Sequence, residues 1–182
     1  DDAIRGAREA HAGLRGTVRV CMSRLAIDSP RVGGAMTKAR AQFAGVQLEI
    51  GEMPSPDQAR ALRSEAFDVA IGAFSAEESG VRQSLLYEEL VDTAILPASH
   101  PLVLRGSVSL EDLADLLCLT VGDAHHAGYA PLYDPLWRAG FRNFEHHRSV
   151  ESVYMLVAAG RGWSPVPRSV HAPAGGVGAG VR

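Results

Sequence analysis

The sequence has one lysine, Lys38, and its other 17 basic residues are arginine. That imbalance reflects codon usage and does not bear on chemistry. Positive charge is not in excess: 18 Lys+Arg against 21 Asp+Glu leave a net charge of −3. A free-standing nucleic-acid clamp needs a basic surface to neutralise phosphates, so that class is disfavoured. Cysteine is scarce. Cys21 and Cys118 are the only two, which is no disulfide framework. Apolar runs are short, and none reaches the roughly 18 residues of a membrane-spanning helix. Residues 1–15 hold no apolar h-region of a secretory signal. Also absent are a nucleophile elbow, a phosphate loop, an HExxH pair and an internal repeat. Glu88-Glu89 and Glu111-Asp112 read as solvated faces rather than acid–base pairs, so an enzymatic reading has no residues to rest on and no cofactor is expected.

What is present is an alternation of strand and helix patterns. Ile4, Ala7, His11 and Leu14 recur at helical spacing, as at the end of an amphipathic helix. Thr17–Met22 alternates and reads as a strand. Ser23 to Gly34, with Pro30, Gly33 and Gly34, reads as a loop, and Ala35–Phe43 as a helix. Val46–Ile50 alternates again. Ser55-Pro-Asp-Gln58 looks like a helix start with a capping box, the helix running to about Glu65. Phe67–Ile71 is short and apolar, the pattern of a strand buried on both faces. Such alternation predicts βαβ units and a parallel sheet.

Further on, residues 85–96 read as a longer strand, broken at Pro97–Pro101. Ser109-Leu-Glu-Asp112 starts a short helix. Leu116–Val121 is a strand, Tyr129–Ala139 a helix stopped by Gly140, and Phe141–Arg148 a strand. Ser149 opens a helix that Gly160 closes. Trp163–Val166 reads as the last strand, and 171–182, with four glycines in twelve residues, as a flexible tail. The breaks at 97–101 and 165–167 bracket a second set of strands and helices. Two short crossings between two α/β lobes predict a ligand site between the lobes, at the carboxyl ends of the strands.

The order of motifs carries a resemblance. Gly16-Thr-Val-Arg-Val20, Ala39-Arg-Ala-Gln-Phe43 and Val46-Gln-Leu-Glu49 come first. Leu62-Arg-Ser-Glu-Ala-Phe-Asp-Val-Ala-Ile71 follows, then Leu90, Leu96-Pro97, His100-Pro-Leu102 and Val108-Ser-Leu-Glu-Asp-Leu113. Val157-Ala-Ala-Gly-Arg-Gly162 and Pro165-Val-Pro167 complete the series. From about 14 to 170 this resembles the effector-binding (substrate-binding) domain of LysR-type transcriptional regulators. The resemblance implies an α/β fold of two Rossmann-like lobes joined by two crossover segments, like type 2 periplasmic binding proteins. It places 1–15 at the end of a linker helix, 16–97 with 166–182 in lobe I, and 98–165 in lobe II.

It further implies a cytoplasmic regulatory module that senses a small anionic metabolite. DNA would be bound only through an N-terminal helix-turn-helix, which nothing in these residues resembles. Pairing into a homodimer or homotetramer is implied, through helix 35–43 and helix 129–139. No membrane contact is implied. The alternative is an extracytoplasmic solute-binding protein of the same fold. Two features depart from the family pattern. Gly-Trp-Ser-Pro stands after Arg161 where an aliphatic strand is usual, and the stretch after Pro167 turns to Gly and Ala.

The candidate ligand-binding residues are Ser23, Arg24, Ser55, Thr120 and Arg148. Ser23 and Arg24 follow the first strand. Ser55 opens a helix, where free N–H groups and the dipole favour an anion, and where the family commonly places a Ser or Thr on its effector. Thr120 ends a strand, and Arg148 stands before a second helix start. Plain capping for Ser55 and solvation for Arg24 are the bland counterparts. Met22, Leu25 and Phe74 are candidates for an apolar wall or for ordinary core. No metal site is expected from His125/His126 and His146/His147. Adjacent strand residues point to opposite faces, and no Cys or carboxylate motif completes a set. Cysteine-based redox sensing is the lesser reading of Cys21 and Cys118, since buried strand cysteines are usually inert.

Overall fold

The computed structural model describes residues 6, 15–72, 80–122, 130–169 and 176–181. The chain divides into two compact units, 1–84 and 85–182.

The first unit is built on a three-stranded parallel sheet in the order β2-β1-β3, with β1 Gly16–Met22, β2 Val46–Glu52 and β3 Val69–Ile71. Central β1 becomes buried towards its end, where Val20, Cys21 and Met22 join the core. Its register with the β3 side is locked by Arg19. The Arg19 backbone N–H donates to Asp68 Oδ2 at 2.8 Å, and the guanidinium binds both carboxylate oxygens.

The loop expected at 23–34 is instead two helices, α1 Arg24–Ile27 and α2 Pro30–Gln42. Ser23 caps α1, its Oγ accepting from Ala26 N at 3.2 Å. Pro30 sits in the first turn of α2, where its fixed φ suits a helix and its missing N–H costs nothing. Two early glycines, unfavourable by about 1 kcal/mol each against Ala, do not outweigh that start and the burial of Val32.

Helix α3, Ser55–Arg63, follows β2 as expected. The capping box does not form: Pro54 occupies the cap position and no side chain caps the helix. Strand β3 is shorter than expected and is an edge strand, with Val69 exposed rather than buried on both faces.

In the second unit, strand 85–96 shrinks to β4, Thr93–Pro97. Residues 85–92 are irregular, with Leu85, Leu86 and Leu90 exposed. Their polar neighbours find other partners than a ladder. Glu89 accepts from Ser169 N at 3.0 Å, and Asp92 pairs with Arg168. A 3₁₀ turn at Pro101–Arg105 leads to β5 Ser107–Val108 and α4 Leu110–Leu113. Here the capping box is complete: Ser109 Oγ accepts from Asp112 N, and Asp112 accepts from Ser109 N.

Strands β6 Cys118–Val121 and β7 Phe144–His147 pair in parallel, with α5 Ala130–Arg138 between them in the chain. Helix α6, Val150–Ala158, is capped by Ser149 and ended by Gly160 at φ 83°.

Trp163 resolves the departure after Arg161. It is fully buried, bridges Cys118, packs against Phe141 at 5.7 Å, and leads into β8 Ser164–Val166. Its neighbour must be glycine, because a Cβ at Gly162 would collide with the Leu117 carbonyl. Strand β8 is not the last. Where a flexible tail was expected, Gly176–Val181 forms β9, antiparallel to β4 and parallel to β5. The resulting sheet has the order β5-β9-β4-β8. One of the glycines that argued for disorder fits a tight approach between strands: a Cβ at Gly178 would stand 3.1 Å from Thr93 Cγ2. Gly176-Val-Gly-Ala-Gly-Val181 also alternates with period two.

Candidate functional site

In the first unit, three chain segments leave the sheet at its carboxyl edge and are tied together there. Ser23 N donates to Ile71 O at 2.9 Å, and Met53 N donates to Met22 O at 2.9 Å. Ser23, Met53 and Gly72, the residues that follow the three strands, therefore share one edge, with the start of α3 beside them. This is the edge where open parallel sheets bind ligands.

Ser23 is buried and its hydroxyl is engaged as the α1 cap. Arg24 is partly exposed, and its Nε donates to Asp28 Oδ2 at 3.1 Å, an i,i+4 pair. Ser55 is the first residue of α3. Because Pro54 takes the cap, the Ser55 hydroxyl caps nothing. Ser55 borders Gly72: a Cβ on that glycine would stand 3.0 Å from Ser55 Oγ. Of the proposed apolar wall, Met22 is core, Leu25 is half-buried and Phe74 lies outside the described residues.

In the second unit, Thr120 has no exposed surface, and its Oγ1 lies 2.6 Å from His146 Nδ1 on the neighbouring strand. Tyr133 reaches the same strand end, its hydroxyl accepting from Val121 N at 3.0 Å and donating to Val121 O at 3.2 Å. On the other face of β7, Glu145 pairs with Arg161 at 2.8 Å, and Arg161 holds its carboxyl below the usual range. His147 Nε2 stands 3.0 Å from Glu145 Oε1. Arg148 is exposed just beyond β7. His125 and His126 lie outside the described residues. Among the described residues no group of three or more His, Cys, Asp or Glu could hold a metal.

The sequence-chosen residues thus fall into two sets: Ser23, Arg24 and Ser55 in one unit, Thr120 and Arg148 in the other. A cavity of about 510 Å³ in the second unit contains none of them. It lies at the amino ends of β6 and β7, bordered by His100, Asp115, Asn143, Glu145 and Arg161.

Sequence reasoning missed Gln58, Gly72 and Tyr133. Gln58 carries a signal in retrospect, a polar residue three positions after a helix start that forms no capping box. The other two act through neighbours distant in sequence. Both cysteines are free and buried, and burial pushes both thiols above their usual range, which leaves little thiolate for redox chemistry.

An α/β chain whose first sheet gathers Ser23 and Ser55 at its carboxyl edge has the arrangement at which open parallel sheets bind small molecules. The family model of the LysR substrate binding domain matches residues 11–179, and the chain belongs to that family. It is a LysR-type effector-binding domain.

Solved structures share the fold. The effector-binding domain of BenM with its effector benzoate aligns at TM-score 0.76 and 22% identity, covering 91% of this chain and 77% of that one. The effector-binding domain of QuiR in complex with shikimate aligns at TM-score 0.76 and 17% identity, covering 92% and 81%. HinK, a LysR family transcriptional regulator from Pseudomonas aeruginosa, aligns at TM-score 0.72 and 20% identity, covering 99% of this chain and 64% of that chain. No curated protein matches. Among the described residues no helix is long and apolar enough to cross a membrane.

Proposed function

We propose that the domain senses a small carboxylate and acts on transcription without catalysing a reaction. Ser23, Arg24 and Ser55 of the first unit and Thr120 and Arg148 of the second are its proposed effector residues. The observation that carries this reading is the Ser55 hydroxyl. It opens a nine-residue helix that no side chain caps, beside the ends of three parallel strands. Helix N–H groups and the dipole favour an anion there. The acids that BenM and QuiR bind, benzoate and shikimate, belong to the same class.

The rest of the reading is regulatory. Effector binding shifts the domain between two arrangements by as much as its affinities for them differ. A DNA-binding segment in the same regulator reads that shift, in the cytoplasm, as a homodimer or homotetramer. The lobe boundaries remain 16–97 with 166–182 against 98–165. In support, the strand that runs up to the first proposed crossing pairs with the strand at the second, Thr93 with Val166 and Ile95 with Ser164.

Calorimetric titration of the chain with aromatic and aliphatic carboxylates tests this reading. A charge-assisted hydrogen bond contributes about 1.5–3 kcal/mol. Ser55→Ala, Arg24→Ala and Arg148→Ala are therefore each expected to weaken the best acid by roughly tenfold to a hundredfold. Full affinity in all three variants, or an effector that proves cationic or wholly apolar, contradicts the proposal.

A further inference from the structure

We infer that the effector is a hydroxy acid, and that Gln58 accepts the hydrogen bond from its hydroxyl group. This rests on the carboxylate reading above and adds a second functional group to the ligand.

Gln58 is a polar residue only 6% exposed, on the inner side of α3. Its Nε2 donates to two backbone carbonyls, Met53 O at 3.1 Å and Ile71 O at 3.2 Å. Those carbonyls belong to the segments leaving β2 and β3. Carbonyl oxygens accept and cannot donate, so the amide has one possible orientation and both its hydrogens are engaged. Its other end, Oε1, is an acceptor held in a fixed place.

That place is the Ser55 corner. A Cβ on Gly72 would stand 2.6 Å from Gln58 Oε1 and 3.0 Å from Ser55 Oγ, so both oxygens border the same point. Only glycine leaves that point open. Among the described residues no donor is bonded to Gln58 Oε1. Oε1 is not among the fully buried unpaired atoms, so it stays reachable from solvent, and a ligand hydroxyl can donate to it in place of water.

The two oxygens ask for different things. Ser55 can donate to a carboxylate, whereas Gln58 Oε1 repels a carboxylate oxygen and requires a donor. An ammonium group is disfavoured, because the helix start favours an anion and Asp57, the acid in the first turn of α3, is already paired with Arg60. A hydroxyl close to the acid group satisfies both oxygens. Sites that hydrogen-bond a ligand hydroxyl discriminate strongly against the analogue that lacks it.

The test is a calorimetric comparison of matched acids on the full chain. Benzoate is set against its 2-, 3- and 4-hydroxy derivatives, propionate against lactate, and cyclohexene-1-carboxylate against shikimate. At least one hydroxylated member is expected to bind about threefold to tenfold more tightly than its partner. In Gln58→Leu that ratio falls towards one, whereas in Ser55→Ala both members weaken. The ratio within one variant cancels any general loss of structure, and the parent ratio needs no variant at all. Equal binding of hydroxylated and plain acids by the parent, or a ratio that survives Gln58→Leu, overturns the assignment to Gln58 and leaves the carboxylate reading intact. No binding of any acid at millimolar concentration overturns the carboxylate reading, and this inference with it.

Discussion

In the second unit Thr120, Tyr133 and Glu145 are held by His146, Val121 and Arg161, while in the first Ser55 and the acceptor end of Gln58 stand at a strand edge without such ties. The cores differ in the same direction. The second unit buries Trp163, Tyr133, Ile95, Leu96, Leu113 and Leu119. The first buries Val20, Cys21, Met22, Ala26, Val32 and Ala61 and no large aromatic among its described residues. Packing holds the second unit; strand pairing and the Arg19–Asp68 pair contribute more to the first. A bound effector stabilises whatever it binds by mass action. The lightly packed unit with polar groups to offer is therefore where that stabilisation is expected.

The largest effect that sharpens this contrast is at Trp163. Trp163→Ala removes the biggest buried side chain of the second unit, and large aromatic deletions cost about 3–5 kcal/mol. Val32→Ala in the first unit removes far less apolar surface and is expected to cost about 1–2 kcal/mol. Urea unfolding of both variants measures the difference. Equal losses would mean that the two cores are equivalent after all.

Next comes Gly72→Ala. The added methyl meets Gln58 Oε1 and Ser55 Oγ, so one of them must move. Overpacking of this kind costs about 1–3 kcal/mol. Acid binding is expected to fall with it, whereas Gly33→Ala, where a Cβ meets nothing within 4 Å, leaves binding unchanged. Calorimetry on the two variants decides whether the corner or merely the unit's stability is affected.

A smaller effect separates the units by pH. The Arg19 side chain and backbone N–H hold the Asp68 carboxyl down to about 2, from an ordinary 3.8. A depressed folded value means that the stabilisation is fully present above 3.8 and is lost as the pH falls through about 2. Asp68→Asn should flatten the decline in urea midpoint over that window and leave the second unit's amide exchange unchanged. Because the pair is exposed, the change is modest.

The fold was legible where local chemistry decides it. Alternation marked β1 and β2, and the Ser109–Asp112 box, the Ser149 cap and Gly160 marked α4 and α6. It was not legible where distant partners decide. Pro30, Gly33 and Gly34 read as a loop because the burial of Val32, which offsets the two glycines, is set by packing and not by local sequence. Gly176–Val181 read as a tail because its ladder partners, 93–97 and 107–108, lie far away in sequence. The site divides likewise. Ser23 and Ser55 could be chosen because they follow strand patterns. Gln58 could not, since its meaning lies in the carbonyls of Met53 and Ile71 and the bare Cα of Gly72.

The smallest effect is expected at Thr120, and it supplies the most direct test. Its hydroxyl is buried against His146, whereas that of Ser55 caps nothing. Calorimetric titration of the best-binding acid against the parent, Ser55→Ala and Thr120→Val compares one hydroxyl from each unit. The account predicts a loss of roughly tenfold or more for Ser55→Ala and a smaller loss, within about threefold, for Thr120→Val. Unchanged affinity in Ser55→Ala, or a larger loss in Thr120→Val, would contradict the claim that the uncapped Ser55 hydroxyl contacts the effector more strongly than the Thr120 hydroxyl held against His146.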